Sequence, residues 1–195
     1  MKRAIISWSG GKDAAWALHR VRGEYEVVAL LTTLAEETAL VPIHNVPLIA
    51  IEAQAQSLGL PLRVVRLPQP CSNAEYTRLL APVWETADAD TVVFGDLFLS
   101  DIREWRENLL ATTRLTPAFP LWLEPTAELA REMIRGGLRA RVCAAHDPQL
   151  IGRDFDETFL AELPPHTDPC GENGEFHTFV RSMPGFAHEI TREVA

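Results

Sequence analysis

The sequence predicts an α/β fold in which helices cover a parallel sheet. Short apolar runs typical of strands alternate with stretches typical of helices, which is the pattern of parallel strands joined by helical connections. Of the 195 residues 47% are hydrophobic, so the chain can bury a full core without disulfide bonds. The strand-like runs cover residues 4–8, 27–33, 62–67, 91–94 and 140–144.

Helix start and stop signals lie between these runs. Gly59 and Gly136 follow helical patterns and predict their ends. Ser72 is suited to cap one helix, and Ser100 with Asp101 is suited to open another, because their side chains accept hydrogen bonds from free backbone N–H groups. The predicted helices run from residue 12 to near 23, over 46–58, from 73 toward 87, from about 101 past 109, and over 126–135.

Charge and cysteine usage restrict the class of function. The formal net charge is −9, and Lys2 and Lys12 are the only lysines, so nucleic acid is an unfavourable partner. Cys71, Cys143 and Cys170 are widely separated, which argues against a disulfide framework and a zinc site. The first apolar run ends at a Gly-Gly-Lys-Asp turn, so we expect no signal peptide, no membrane span and a cytoplasmic location.

The first strand-like run leads through a glycine turn into a predicted helix, which is the arrangement of a phosphate-binding site. Gly10 and Gly11 have no Cβ, so their N–H groups can approach an anion. A helix that begins near Lys12 directs the positive end of its dipole to the same place. The spacing fits neither the GxxxxGK[ST] loop nor the GxGxxG fingerprint. A plain strand-to-helix turn is the alternative interpretation.

Other strand ends are expected beside this loop, because ligands of parallel α/β sheets bind outside the carboxyl ends of the strands. Thr32 and Thr33 end the second run, and Gly95 with Asp96 follows the fourth. Gly95 would let a ligand approach the backbone. The turn after Ala144 is expected at the same edge.

A polar string follows the fourth strand and continues onto the next helix. Its members are Asp96, Asp101, Arg103, Trp105 and Glu107. Their position at a strand end favours a binding site. Alternatively, Asp96 or Asp101 caps the helix, and Arg103 forms a surface ion pair with Glu107.

The tail contains a second unusual string over residues 168–178. Gly171 and Gly174 leave the backbone free to turn, while Glu172, Glu175 and His177 place two acids and an imidazole close together. In a strand, Glu175 and His177 would share one face. Such a face can hold Mg²⁺, transfer a proton or orient ammonia. An Asn-Gly hairpin turn is the alternative.

These strings together resemble a known family. Residues 9–13, Ser-Gly-Gly-Lys-Asp, resemble the Ser-Gly-Gly-x-Asp-Ser pyrophosphate loop (PP-loop) of the ATP pyrophosphatases, with Ala14 in place of the last serine. That loop, the string from Phe94 to Glu107, residues 120–122 and the tail over 170–178 resemble the diphthine–ammonia ligase family. Diphthine belongs to the elongation factor of archaea and eukaryotes, and similar short chains that resemble this family also occur in bacteria, where that substrate is absent. The likeness spans nearly the whole chain.

The resemblance implies a fold and an activity. The fold is a HUP-type parallel sheet of five strands, in the order 3-2-1-4-5, with helices on both faces. It implies an ATP-binding domain over residues 1–115 and a smaller α+β substrate domain over 116–195. The implied activity uses ATP with Mg²⁺ to adenylate a carboxylate, for example one on elongation factor 2, and releases pyrophosphate. Ammonia then displaces AMP and forms the amide. A homodimer is compatible with this class.

The resemblance and the chemistry of the side chains assign expected roles. The expected nucleotide-binding residues are Ser9, Gly10, Gly11, Lys12, Asp13, Thr32 and Gly95. The expected catalytic residues are Lys12, Asp13, Glu172, Glu175 and His177, with Asp13 also a Mg²⁺ ligand. The expected acceptor-binding residues are His44, Asp96, Asp101, Arg103, Trp105 and Glu107.

Three other functions stay open at this stage. A PP-loop protein of this kind could act on a different small acceptor. It could transfer sulfur with Cys170 as the carrier, although a lone cysteine beside proline is more often inert. It could also be a nucleotide sensor without ligase chemistry, which the replacement of serine by Ala14 favours.

Overall fold

A computed structural model describes residues 1–191 of the chain. The strands are β1 (Lys2–Ser7), β2 (Tyr25–Ala35), β3 (Leu40–Val41), β4 (Val46–Pro47), β5 (Leu62–Leu67), β6 (Thr91–Val93), β7 (Thr116–Ala118), β8 (Arg139–Ala145) and β9 (Phe176–Ser182). The helices are α1 (Lys12–Val21), α2 (Leu48–Leu58), α3 (Asn73–Glu85), α4 (Ser100–Leu110), α5 (Thr126–Arg135) and α6 (Glu157–Glu162).

The main sheet is parallel and has five strands in the order β5-β2-β1-β6-β7. Numbered along the chain, these strands have the order 3-2-1-4-5, which confirms the predicted topology. β1 lies at the centre, and Ala4, Ile5 and Ile6 are completely buried because both faces of the sheet are covered. The carboxyl end of β1 therefore opens directly onto the glycine loop.

Helices pack on both faces of this sheet, as predicted. The alternation of side chains along a strand sends Ile6 to one apolar core and Ile5 to the other. Trp16 of α1 and Ile51 of α2 belong to the first core. Trp84 of α3 belongs to the second, together with residues of α4. The two cores fix the helices against the sheet and so fix the loops between them.

The fifth strand of the sheet is β7, and the prediction that residues 140–144 end at the same edge is wrong. β8 instead pairs antiparallel with β9 in a separate two-stranded sheet. β7 has only three residues and contains Pro117, which has no N–H to donate and so is tolerated at the sheet edge. A short strand with a central proline leaves almost no periodic signal in the sequence.

Two predicted helix starts also need correction. α2 begins at Leu48 rather than at residue 46, because Val46–Pro47 pairs with Leu40–Val41 in a small hairpin. α4 has Leu99 at its N-cap position, so neither Ser100 nor Asp101 caps it. The cap on α3 is confirmed, since Ser72 Oγ accepts a hydrogen bond from the Glu75 N–H at 3.2 Å.

The tail packs directly against the glycine loop. The Val180 N–H donates to the Gly10 carbonyl at 2.9 Å, and the buried Gln54 side chain donates to the carbonyls of both residues. The Trp8 indole N–H donates to Gln54 Oε1 at 2.9 Å. Gln54 of α2 therefore joins β9 to the loop that follows β1.

The division into two domains stays a prediction, as does a homodimer. The chain beyond residue 115 contributes β7 to the main sheet, and residues 192–195 of the predicted second domain lie outside the described range. Over residues 1–191, no helix combines the length and the apolar character needed to cross a membrane.

Candidate functional site

Two adjoining cavities open at the carboxyl ends of the central strands. The first cavity has a volume of about 220 Å³ and lies between the glycine loop and the tail. The second cavity has a volume of about 380 Å³ and lies between β2, β5, α3 and α4. Five residues line both cavities and mark the boundary between them: Ser7, Ser9, His44, Phe94 and Arg106.

The glycine loop has a backbone that requires glycine at residue 10. Gly10 has φ = +82°, in the left-handed region that residues with a Cβ rarely adopt. A Cβ there would lie 2.6 Å from Ile51 Cδ1 and 2.9 Å from Gln54 Oε1. The sequence therefore specifies a tight turn packed against α2.

Helix α1 begins at the floor of the first cavity. Gly11 is its N-cap residue and provides no side chain to cap it. The Ser9 hydroxyl accepts a hydrogen bond from the Gly11 N–H at 3.3 Å, and Thr178 Oγ1 accepts one from the Lys12 N–H at 3.1 Å. Ser9, Lys12 and Asp13 all line the cavity, so the positive end of the helix dipole faces it.

Lys12 has a buried ammonium group. Nζ lies 2.9 Å from Asp13 Oδ2 and donates a second hydrogen bond to the Cys170 carbonyl. The Phe176 ring centroid is 5.3 Å from the same nitrogen. Burial by itself would lower the Lys12 pKa, but the surrounding acidic groups, Asp13 first among them, together outweigh it and raise that pKa. Lys12 therefore stays charged and binds the loop to the tail.

Asp13 has one carboxylate oxygen that is still free to bind a ligand. Burial raises the Asp13 pKa, and the Lys12 ammonium opposes that rise. Oδ2 is paired with Lys12, whereas Oδ1 is enclosed and has no hydrogen-bond partner within residues 1–191. An enclosed carboxylate oxygen of this kind fits a metal cation that enters with a ligand.

The tail folds into a turn that Asp168 organises. Its Oδ1 accepts hydrogen bonds from the N–H groups of Cys170 and Glu172, and its Oδ2 accepts one from Thr126 Oγ1 at 2.6 Å. Gly171 has φ = +69°, and a Cβ there would lie 2.6 Å from the Phe176 carbonyl oxygen. The turn directs Glu172 and His177 into the first cavity.

Glu175 does not share a strand face with His177. β9 begins at Phe176, so Glu175 precedes the strand and does not line either cavity. Its carboxylate accepts hydrogen bonds from the Asp168 N–H and from Asn173. Burial alone would raise the Glu175 pKa, but these hydrogen bonds lower it. Glu175 shapes the turn.

The Glu172 side chain reaches from the tail to the segment that follows β6, the fourth strand of the sheet. Its Oε1 accepts a hydrogen bond from the Leu97 N–H at 2.8 Å. Burial raises the Glu172 pKa to about 7; the Leu97 N–H lowers it, while Asp13 raises it further. The carboxyl group can thus exist in either protonation state near neutral pH.

A pH-dependent stability difference follows from this pKa. An unfolded glutamate releases its proton near pH 4.5 and folded Glu172 near 7, so the native state binds the extra proton between those values and loses stability as the pH rises through them. Glu172→Gln keeps the acceptor for Leu97 and removes this titration. We expect the mutant to gain up to about 3 kcal/mol over wild type between pH 4.5 and 7.5.

Urea unfolding at four pH values across that range measures the difference. Glu175→Gln is the contrasting variant, because the lowered Glu175 pKa stabilises the native state above pH 4.5 and loses that effect as the pH falls. The difference between wild type and Glu175→Gln should therefore stay nearly constant across that range and change only as the pH falls below it. A flat difference for Glu172→Gln would contradict the raised pKa.

Two imidazoles line the first cavity. The ring centroids of His44 and His177 are 4.8 Å apart, and His44 Nδ1 lies 3.3 Å from the Thr178 carbonyl oxygen. Burial and His177 lower the His44 pKa to about 3. Burial and the Lys12 charge lower the His177 pKa to about 4. Both rings are therefore neutral at pH 7 and can accept protons or hydrogen bonds.

The end of β6 brings Gly95 and Asp96 into the first cavity. A Cβ at Gly95 would lie 2.7 Å from the Asp13 carbonyl carbon and 2.8 Å from the Ala14 nitrogen. The space left by the missing side chain is thus filled by the first turn of α1, not by a base or sugar. Asp96 Oδ2 lies 3.6 Å from Arg106 Nε.

Several predicted residues lie outside both cavities, among them Gly10 and Gly11 of the glycine loop. Thr32 is buried within the sheet, and its neighbour Thr33 lines the second cavity instead. Asp101 is exposed, and Arg103 forms an ion pair with Glu107 at 2.8 Å. The surface-pair interpretation of Arg103 and Glu107 thus agrees with the structure. Trp105, in contrast to these residues, does line the second cavity, where its ring makes an edge contact with Tyr76.

Sequence reasoning missed several residues that the fold brings to the site. Arg106 lines both cavities, Tyr76 lines the second, and Thr178 holds the start of α1. Asp168 and Gln54 orient the tail and the loop. Helical periodicity puts Arg106 and Arg103 on different parts of α4 but does not say which of them faces the cavity, and the long-range contacts of Thr178 and Gln54 leave no local signal.

Fold and site together define a class. A parallel α/β sheet of HUP type, with a glycine loop leading from its first strand into a helix beside a cavity, is the architecture of the PP-loop nucleotide-binding proteins.

Comparison with known proteins narrows the class to a family. A family model described as diphthamide synthase N-terminal domain matches residues 1–115. The diphthine–ammonia ligase of Danio rerio is 31% identical in an alignment 218 positions long, which covers 96% of this chain and 85% of the relative. The enzyme of the same name from Homo sapiens is 28% identical, with 93% and 79% covered. The chain belongs to the diphthine–ammonia ligase family of ATP-using carbon–nitrogen ligases.

Proposed function

We propose that the protein adenylates a carboxylate with ATP, releases pyrophosphate, and converts the acyl-adenylate into an amide with ammonia. The main support is that Ser9, Lys12 and Asp13 line the same cavity as Glu172 and His177 of the tail. Relatives named diphthine–ammonia ligase cover more than nine-tenths of the chain. A diphthine-like carboxylate on a protein such as elongation factor 2 is the proposed acceptor.

The nucleotide would occupy both cavities. The second cavity is lined by Leu31, Leu67 and Trp105, which suit the apolar faces of adenine. The first contains the loop, where Ser9 and the start of α1 would bind the β- and γ-phosphates. In this arrangement the α-phosphorus would lie at the boundary, facing the tail.

Adenylation requires a leaving group to be stabilised. An acceptor carboxylate oxygen attacks the α-phosphorus, the bond to the bridging oxygen breaks, and pyrophosphate leaves with the electron pair. The positive end of the α1 dipole and the fixed charge of Lys12 would stabilise that anion. Asp13 would hold Mg²⁺ through Oδ1, and the ion would neutralise charge on the phosphates. Among residues 1–191 no cluster of three or more metal-binding side chains exists, which fits an ion held mostly by phosphate.

Amide formation requires a proton acceptor. Ammonia attacks the acyl carbon, the carbon–oxygen bond to AMP breaks, and the nitrogen gives up one proton. His177 is neutral at pH 7 and lines the cavity, so we assign it to receive that proton. Asp96, Glu172 and His44 would surround the acceptor and the ammonia.

Product analysis tests this function. With ATP, Mg²⁺, ammonium and diphthine-bearing elongation factor 2, we expect AMP, pyrophosphate and amide in equal amounts. ¹⁸O in the acceptor carboxylate should appear in AMP. Label in inorganic phosphate, or release of ADP, would overturn adenylation. Tight ATP binding without turnover, with this acceptor and with a panel of small carboxylates, would support the sensor instead.

Cys170 tests the sulfur-transfer alternative. Its thiol is 1% exposed, donates to the Thr126 carbonyl, and has a pKa that burial raises, so a reactive thiolate is disfavoured. We expect Cys170→Ala to keep amide formation within about threefold of wild type, because Lys12 contacts only the Cys170 backbone carbonyl. A persulfide on Cys170 detected by mass spectrometry, with loss of turnover in the variant, would reverse this conclusion.

A further inference from the structure

A phosphate bound at the boundary between the two cavities would need a positively charged side chain there. An α-phosphate joins the nucleoside to the terminal phosphates, so in the proposed function it must lie at this boundary. Of the five residues that line both cavities, Ser7, Ser9, His44 and Phe94 have no permanent charge. Arg106 is the remaining one, and its guanidinium group carries a positive charge.

The other cation of the site is already engaged. Lys12 Nζ is held by Asp13 Oδ2 and the Cys170 carbonyl. The first cavity also contains the carboxyl groups of Asp96 and Glu172, so it has more acidic groups than lysine and arginine side chains. A nucleotide phosphate chain therefore needs a further hydrogen-bond donor in this acidic cavity.

Arg106 is held in place but its hydrogen-bonding capacity is incompletely used. Its guanidinium carbon stacks 4.7 Å from the Phe94 ring centroid and 5.1 Å from that of Trp105. Nε is 3.6 Å from Asp96 Oδ2, beyond hydrogen-bond distance. Arg106 Nε and Asp96 Oδ2 are both enclosed and have no hydrogen-bond partner within residues 1–191. A buried donor without a partner favours a ligand that accepts its hydrogen bonds.

We propose that Arg106 binds the α-phosphate of the nucleotide and, after adenylation, the phosphate of the acyl-adenylate. The inference rests on the proposed nucleotide site. The planar guanidinium group can donate two parallel hydrogen bonds to one phosphate, which lysine cannot do. The aromatic stack on Phe94 and Trp105 fixes its plane at the boundary.

Equilibrium binding of AMP and adenosine tests the proposal, because the two ligands differ only in the α-phosphate. For Arg106→Gln we expect the Kd of AMP to rise at least about tenfold while that of adenosine changes less than about twofold. Arg106→Lys should lose part of the preference, since it keeps the charge without the paired geometry. Should the Gln variant not fold, the Lys variant provides the same comparison.

Arg103→Gln is the matched control. Arg103 lies on the same helix, stacks on Phe119 and Trp122, and has an acidic partner in Glu107, but it lies outside both cavities. Its AMP and adenosine Kd values should stay at the wild-type level. Equal losses of AMP and adenosine binding in the Arg106 variants would mean that Arg106 only shapes the nucleoside cavity.

An unchanged AMP preference in these variants, or a wild-type protein that does not prefer AMP to adenosine, would also overturn the inference. The measurement needs no acceptor, ammonia or turnover. A protein that binds AMP through Arg106 but forms no amide would refute the ligase reaction and leave this inference intact.

Discussion

Lys12→Met is expected to lower amide formation at least about 100-fold and to destabilise the protein by about 3 kcal/mol. The substitution keeps the length of the side chain but removes the ammonium group that joins Asp13 to the Cys170 carbonyl. The Asp13 carboxylate then lacks its cation, and the carbonyl lacks its donor, in an enclosed site. Thermal unfolding should shift by roughly 10 °C.

A double variant separates the structural loss from the catalytic loss. In Lys12→Met/Asp13→Asn the uncompensated carboxylate is gone, so we expect about half of the lost stability to return. Turnover should stay low, because the charge that faces the leaving pyrophosphate and the proposed Mg²⁺ ligand are both missing. Urea unfolding and pyrophosphate release, measured on the same preparations, give the two quantities.

Lys2→Met is the matched control, since Lys2 is the other lysine of the chain and is exposed at the start of β1. Its stability and turnover should equal those of the wild type. A Lys12→Met protein with wild-type turnover would show that the ammonium group has no part in the reaction. Wild-type stability would instead show that the ion pair with Asp13 does not hold the loop.

The parts of the fold predicted from sequence are those with a strong local pattern. β1, the glycine loop and α1 follow one another within about twenty residues, so their periodicity and turn residues define them. β7 could not be found this way, because three residues around Pro117 depend on the neighbouring β6 to become a strand. The antiparallel pairing of β8 with β9 depends on contacts between distant segments.

The site shows the same division between local and long-range information. The tail composition singled out Glu172, Glu175 and His177. Glu172 and His177 line the first cavity, whereas the start of β9 at Phe176 keeps Glu175 out of it. Choosing Thr33 over Thr32, or Arg106 over Arg103, requires knowing which face of a strand or helix points at the cavity. Packing determines that orientation, and a single sequence does not contain it in local form.

Gly95→Ala is expected to destabilise the protein by about 2–3 kcal/mol, because the new Cβ meets backbone atoms that cannot rotate away. It would lie 2.7 Å from the Asp13 carbonyl carbon, 2.8 Å from the Ala14 nitrogen and 2.9 Å from the Asp13 oxygen. Relief requires a shift of the first turn of α1 or of the β6 end. Since α1 begins at the glycine loop, turnover should fall together with stability.

Two other glycines give matched controls for this change. A Cβ at Gly23 meets nothing within 4 Å, so Gly23→Ala should keep wild-type stability or exceed it slightly. Gly137 has equally open surroundings but φ = +90°, so Gly137→Ala should show backbone strain of about 1 kcal/mol without crowding. Thermal unfolding of the three variants separates crowding from strain.

The variant also distinguishes two roles for Gly95. If the glycine served to admit adenine or ribose, Gly95→Ala would weaken adenosine binding and leave the melting temperature unchanged. If it serves to admit α1, as the distances indicate, the melting temperature should fall by roughly 6 °C before any ligand is added. Because the loop that we propose for phosphate binding is continuous with α1, the same close contact then sets the position of Ser9 and Lys12 relative to the tail.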